Sequence, residues 1–287
     1  MYGKGYQQQM SFLLENMYWK AALLGIVQGL TEFLPVSSTG HLVLAGKFLE
    51  IAPEESTFSA MFNIVVQLSS ILAVVIYFRK QLLPAAFFKE EECRKETFAL
   101  YWRTAVAVLP ALGIGYLIKD YVEEWQKNPY IVAAALFIGG VILIFIEKVM
   151  KREKVIEKIT DLPYIKAAGV GFFQCIAMIP GVSRSASTII GGLALGLSRP
   201  LAAEFSFFLA IPTMAAASFY ALLKHGGNLS LKEWIATAIG FIVSFLVSWG
   251  VIAWLMNFIR KRSFQVFGYY RIILAVIVVI YFLRTGK

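Results

Sequence analysis

Two short stretches hold side chains whose types and spacing could do chemistry. The first runs from Gln28 through Glu32 into Pro35-Val-Ser-Ser-Thr-Gly-His41. Gln28 and Glu32 are four residues apart and so share one face of a helix. Pro35 ends that helix, and Ser37, Ser38 and Thr39 stand where the next one would begin, able to cap its free N–H groups. The second stretch, Pro180-Gly-Val-Ser-Arg-Ser-Ala-Ser-Thr188, sets Arg184 among Ser183, Ser185, Ser187 and Thr188, again at the head of an apolar run. A guanidinium, hydroxyls and helix N-terminal amides form a phosphate-binding set. The first stretch adds a carboxylate, hydroxyl nucleophiles and an imidazole. Together they suit phosphoryl transfer, where positioning and charge neutralisation do most of the work. Glu32 and Gln28 could also hold a hard divalent cation through oxygens, with substrate phosphates completing its shell.

Each feature has a plainer reading. The hydroxyls could be caps and helix–helix glue. Glu32 could be no more than the ion-pair partner of Arg184, Arg184 could snorkel, and a lone histidine such as His41 is more often packed than catalytic. Depth weighs against these readings, because a carboxylate inside an apolar segment is costly and is a functional candidate by default. Long apolar runs on both sides keep Arg184 far along the chain from polar loops. His41 gains weight from its neighbours Glu32 and the hydroxyls, whereas His225, in a loop, is assigned no role.

The elements that must position these residues are apolar helices. Of 287 residues 59% are hydrophobic and 16% charged, and mean hydropathy is +0.69. A soluble domain would carry more charge. Charge-free runs at 56–78, 128–146, 205–223 and 234–259 approach the ~20 residues that a helix needs to cross a bilayer. Two more, 97–118 and 263–283, carry one arginine each, Arg103 and Arg271. The net charge of +9 is explained by basic loops that orient a membrane protein, without nucleic acid. Cys93 in a polar loop and Cys175 in an apolar helix are expected to form neither a disulfide nor a metal–thiolate site. The N-terminal stretch lacks a small-residue cleavage pattern and is not read as a signal peptide.

Ten apolar segments can be marked, at about 18–34, 37–50, 58–78, 98–118, 129–149, 164–180, 184–196, 201–223, 231–258 and 267–285. They fall into two sets of five, each a short interrupted pair followed by three longer spans. Gly25, Gln28, Ser37 and Gly46 match Gly171, Gln174, Ser183 and Gly192 at a common offset of 146. The expectation is an all-α polytopic membrane protein of about ten helices, with six full crossings plus two re-entrant pairs. It would form one integral membrane domain over 1–287, with inverted repeat halves at about 18–149 and 164–285. Loops 79–97, 150–163 and 259–266, with Arg199, hold most of the basic residues, among them Arg79, Lys80, Lys89, Lys151, Arg152, Lys154 and Arg260. The opposite loops hold only Lys119, Lys127 and Lys224. The basic side is therefore expected to be cytoplasmic, with both termini and the mouth of the first short pair outside. Irregular backbone at membrane depth must be buried in protein or line a wet cavity, so the two polar tips are expected to meet and line one cavity.

The motifs Gln28-Gly-Leu-Thr-Glu32, Pro35-Val-Ser-Ser-Thr-Gly-His41 and Pro180-Gly-Val-Ser-Arg-Ser-Ala-Ser-Thr188 resemble those of the bacterial undecaprenyl-diphosphate phosphatase family, also called bacitracin-resistance proteins, over about 18–285. The resemblance implies hydrolysis of a C55 polyprenyl diphosphate to the monophosphate and inorganic phosphate. Mg²⁺ or Ca²⁺ would assist, in the bacterial inner membrane, with a site open to the outer face and a tendency to dimerise. That reaction recycles the lipid carrier for cell-wall synthesis and confers bacitracin resistance. Carried onto this chain, the resemblance makes Glu32 the acid/base group or a metal ligand, Ser38 the nucleophile, and His41 a proton acceptor or rival nucleophile. Arg184 would neutralise phosphate charge, Ser37, Thr39, Ser183, Ser185 and Thr188 would hydrogen-bond, and Gln28 would orient Glu32 or the metal. Gln28 takes the permitted alternative at its position, which leaves a two-carboxylate metal site in question. The competing reading is a transporter or flippase of polyprenyl phosphate without hydrolysis; a carrier needs charge but no nucleophile.

Overall fold

A computed structural model describes residues 3–49, 51, 56–82, 91–126, 128–149, 155–225 and 229–285. Lys89, Lys127, Lys151, Arg152 and Lys154 lie outside the described residues, as do the side chains of Lys119, Lys224 and His225. The helices are α1 (Gly3–Thr31), α2 (Ser38–Leu49), α3 (Thr57–Tyr77), a four-residue turn α4 (Arg79–Leu82), α5 (Glu91–Gln126), α6 (Pro129–Val149), α7 (Tyr164–Ile176), α8 (Arg184–Ala194), α9 (Arg199–His225), α10 (Leu231–Lys261) and α11 (Gln265–Thr285). All ten expected segments are helical, and α4 is additional. The main departures are in length. At 36 residues, α5 exceeds the span of a bilayer core. Its extra turns begin with the exposed, polar Glu91–Lys95 pair, 2.8 Å apart.

Local chemistry sets the ends. Ser56 caps α3 by accepting from the Ser59 N–H at 3.1 Å. Ser230 and Glu233 form a reciprocal capping box on α10. Ser37 and Ser183 precede the short helices α2 and α8 and accept from the N–H of Gly40 and Ala186, each at 3.3 Å.

Among the described residues, five helices are long and apolar enough to cross a membrane: α3, α5, α6, α10 and α11. The sixth expected crossing, α9, has the side chains of residues 217, 220–222, 224 and 225 outside the described residues, so its full span is not among those compared. It carries Arg199 and Glu204, and Leu201, Ala202, Ala203 and the run from Phe205 to Ala210 are all buried. The first half of α9 therefore packs against protein, whereas Phe219 and Leu223 toward its end are exposed. The chain is thus an all-α, multi-pass membrane protein.

Close approaches fix the relative directions of the helices. Along α1 and α10, Gly25 meets Gly240 and Gly29 meets Ser244, so the two run parallel; a Cβ at Gly25 would stand 2.6 Å from the Gly240 oxygen. Along α5, Gly171 of α7 meets Ala107 and Met178, in the turn just after α7, meets Gly115, also parallel. Helices α3 and α10 run parallel through buried hydroxyls, with Ser244 donating to the Val66 carbonyl at 3.3 Å and Ser248 to Ser70 Oγ at 2.9 Å. Helices α6 and α11 run antiparallel, from Glu147 beside Phe264 to Leu136 beside Arg271.

One end of the bundle gathers the segments that the charge pattern groups together. Arg103, near the start of α5, donates to the carbonyls of Leu162 and Thr160. Glu147 pairs with Arg199 at 2.5 Å and accepts from the Phe264 N–H at 3.0 Å. An isolated parallel bridge joins Ile156 to Leu197.

Candidate active site

The polar tips meet at the bundle's interior. Helix α1 stops at Thr31 because Pro35 lies four residues ahead, and residues 32–36 form an irregular turn. The second turn spans residues 177–182. Ser185 Oγ donates to the Leu34 carbonyl at 2.9 Å, stitching the two turns together.

Glu32 is the centre of the site. The residue is 5% exposed, and Oε2 accepts from Gln28 Nε2 and from Ser38 Oγ, both at 2.9 Å. Oε1 faces Arg184 Nη2 at 3.4 Å. Residues 32 and 184 are thus brought together from opposite halves of the chain. The ion pair that the plainer reading allowed is present, but it is long and uses one contact. Arg184 spends Nη1 on the Ser206 carbonyl at 3.0 Å and leaves Nε with no partner. A buried unpaired donor on a guanidinium is costly, and an incoming anion would satisfy it.

Ser38 is the first residue of α2 and its hydroxyl is turned to Glu32. His41 faces elsewhere. Nδ1 lies 2.7 Å from the Ser37 carbonyl, which can only accept, so Nδ1 carries the proton. Nε2 is then the acceptor and takes the Tyr270 hydroxyl at 2.7 Å, with the two rings stacked. Among the described contacts, the proton acceptor on Ser38 is Glu32. Thr39 is exposed and Tyr270 is 45% exposed, so the edge of the site formed by these two residues lies at the protein surface.

The other hydroxyls divide. Ser37 and Ser183 cap their helices, and Ser183 also pairs with Ser185 at 3.1 Å. Ser185 and Thr188 are fully buried, and their hydroxyls are taken by Leu34 and by Arg184, Ser185 and Ser206. They hold the turns together rather than face Glu32. Two cavities, of about 190 and 170 Å³, lie at the opposite end of the bundle, lined by residues such as Glu147 with Arg199 and Glu157 with Glu204.

Sequence reasoning passed over Tyr270 and Arg271, adjacent residues on α11; Tyr270 reaches His41 and Arg271 reaches both turns. Arg271 bonds four carbonyls, including those of Pro35 and Gly181. The signal was a lone arginine in a span otherwise free of charge, a functional candidate by default.

A divalent cation can be tested against these donors. Among the described residues no cluster of three or more His, Cys, Asp or Glu forms. One carboxylate, Glu32, and one amide oxygen, Gln28, do not make a protein cage. They fit an ion such as Mg²⁺ that arrives on substrate phosphates and needs one or two protein oxygens.

Comparison with known proteins places this geometry. The family model described as "Bacitracin resistance protein BacA" matches residues 21–277. Undecaprenyl-diphosphatase 1 of Clostridioides difficile is 47% identical over 264 residues, covering 92% of this chain and 96% of that protein. The undecaprenyl-diphosphatases of Fusobacterium nucleatum and Enterococcus faecalis are 48% and 43% identical, covering 90% and 91% of this chain and 98% and 95% of their own lengths. The chain belongs to the bacitracin resistance protein family.

Proposed function

We propose that this member of the bacitracin resistance protein family is a membrane phosphatase that hydrolyses undecaprenyl diphosphate to undecaprenyl phosphate and inorganic phosphate. It thereby returns the lipid carrier to cell-wall synthesis. The names of the relatives support the substrate. The observation that carries the chemistry is the Ser38 hydroxyl donating to Glu32 Oε2 at 2.9 Å while Glu32 Oε1 faces Arg184 at 3.4 Å.

The terminal phosphate takes the place between Glu32 and Arg184, drawn by the free Nε of Arg184 and by the first N–H groups of α2 and α8. Ser38 Oγ attacks the terminal phosphorus. Its proton passes to Glu32, and the bond from that phosphorus to the bridging oxygen breaks. Glu32 hands the proton to the departing lipid monophosphate. It then takes a proton from the water that attacks phosphoserine, and returns it to Ser38 as inorganic phosphate leaves. Arg184 holds the charge that builds on the phosphoryl oxygens. His41 is held away from this line by Tyr270, which favours Ser38 as nucleophile. A divalent cation, held by Glu32 and the Gln28 amide oxygen, would neutralise further phosphate charge.

The protein lies in the bacterial inner membrane with its basic end in the cytoplasm and its site mouth on the outer side. Support comes from the loop charges and from helix directions: α1 parallel to α10 and α7 parallel to α5, as two oppositely inserted re-entrant pairs require. The halves 18–149 and 164–285 then form an inverted repeat.

The test is phosphate release from a polyprenyl diphosphate by purified protein, with and without chelator, with acid quenching to trap the phosphoenzyme. An acid-stable adduct, absent from Ser38→Ala, is expected. An acid-labile adduct would move the nucleophile to His41. Lipid phosphate movement in vesicles without any phosphate release would replace the enzyme by a carrier.

A further inference from the structure

We infer that Arg271 is a positioning residue that fixes the distance between nucleophile and cation. Its side chain is fully buried, and its partners are all carbonyl oxygens: Leu136 at 3.3 Å, Ala135 at 3.0 Å, Pro35 at 3.3 Å and Gly181 at 3.1 Å. No carboxylate among the described residues pairs with it. A buried guanidinium without a counter-ion is expensive, so its retention calls for a role.

The identity of the carbonyls supplies that role. Pro35 lies three residues before Ser38, and Gly181 lies three residues before Arg184. Both are in turns, where backbone carbonyls lack the regular helical acceptor pattern. One planar group therefore grips the two turns at equivalent points, just upstream of the two side chains that do the chemistry. The remaining bonds anchor it to α6. A Cβ at Gly139 would overlap Nη2 of Arg271, so that glycine makes room for the guanidinium. The fork geometry is what the role needs. Arginine has five donors in one plane and here makes four bonds with them to three separate segments, whereas the ammonium of lysine is a point charge on a flexible stem.

Arg271 touches no reacting atom, and its effect is on the separation of Ser38 from Arg184. Misplacement of reacting groups by about 1 Å costs roughly a hundredfold in rate. The kinetic arm of the test rests on the phosphatase reading. Purified Arg271→Lys, with charge retained, is expected to lose roughly a hundredfold in kcat on farnesyl diphosphate while KM stays within about threefold. Gly139→Ala, which keeps Arg271 but takes its space, is expected to lose kcat in the same way. Normal kcat in Arg271→Lys, or a loss confined to KM, would overturn the proposal.

A second arm needs no activity. Spin labels at Leu30→Cys and Ile176→Cys, exposed positions just before each turn, report the spacing of the turns in a chain lacking Cys93 and Cys175. Arg271→Lys is expected to broaden or shift that distance distribution. An unchanged distribution overturns the proposal even if no chain releases phosphate; absence of release from the unsubstituted protein would sink the phosphatase reading alone.

Discussion

In the turn before α2, Ser37 at φ 72° is followed by Ser38; in the turn before α8, Ser183 at φ 74° is followed by Arg184. Among the described residues these two serines are the non-glycine residues at positive φ. Such conformations cost about 1–3 kcal/mol each and persist where the surroundings enforce them. Four residues after Gln28 stands Glu32; four after Gln174 stands Met178. Gln28 donates to its carboxylate, while neither polar atom of the equally buried Gln174 has a partner. The two turns repeat one backbone and divide the chemistry. Equivalent first positions of α2 and α8 hold a hydroxyl in one and a guanidinium in the other, and the acid survives on one side only. A charge-rich pair on both sides would have placed like groups face to face.

The strongest way to break this comparison is to remove the second turn's contribution. Arg184→Ala is expected to lower phosphate release by roughly a thousandfold with monodisperse elution preserved; near-normal turnover would take the cation out of the division. On the first turn, Glu32→Gln keeps shape and loses the base, and a fall of about a hundredfold or more in kcat is expected. Full activity in that variant would leave Ser38 without its proton acceptor. The two glutamines sharpen the contrast at lower amplitude. Gln28→Met removes a donor from a carboxylate and is expected to cost about tenfold in kcat/KM. Gln174→Met removes an unpartnered amide and is expected to leave turnover unchanged, with thermal stability equal or raised by about 1 kcal/mol. Equal losses in the two variants would erase the asymmetry. The smallest effect is a label without consequence for activity. A cysteine at exposed Val155, in the segment joining the halves, is expected to react only with membrane-permeant thiol reagents from outside cells. Reaction with an impermeant reagent would turn the whole arrangement over.

Much of this was legible from local chemistry. The offset of 146 that pairs Ser37 with Ser183 anticipates two residues with matching backbone angles. The interrupted pairs 18–34 with 37–50 and 164–180 with 184–196 appear as α1 with α2 and α7 with α8. The extra turns of α5 and the burial of the first half of α9 were not legible. A hydropathy run reports what a helix would prefer to face, and α9 faces protein through Phe205, Phe207 and Leu209. Ser185 and Thr188 show the same limit. Their motif marks them as hydroxyls at a helix start, yet their bonds go to Leu34 and Ser206.

The sequence by itself determined the solvent, the helices and the kinds of side chain at the two turns, because hydropathy, capping and proline act on residues close along the chain. Only the tertiary structure decided which of those side chains meet. It gave Ser38 to Glu32 and His41 to Tyr270, and it placed Arg271 across both turns. Those pairings depend on how closely α6 and α11, and α1 and α10, can approach. That closeness is set by packing between segments more than a hundred residues apart, over which local propensity has no hold.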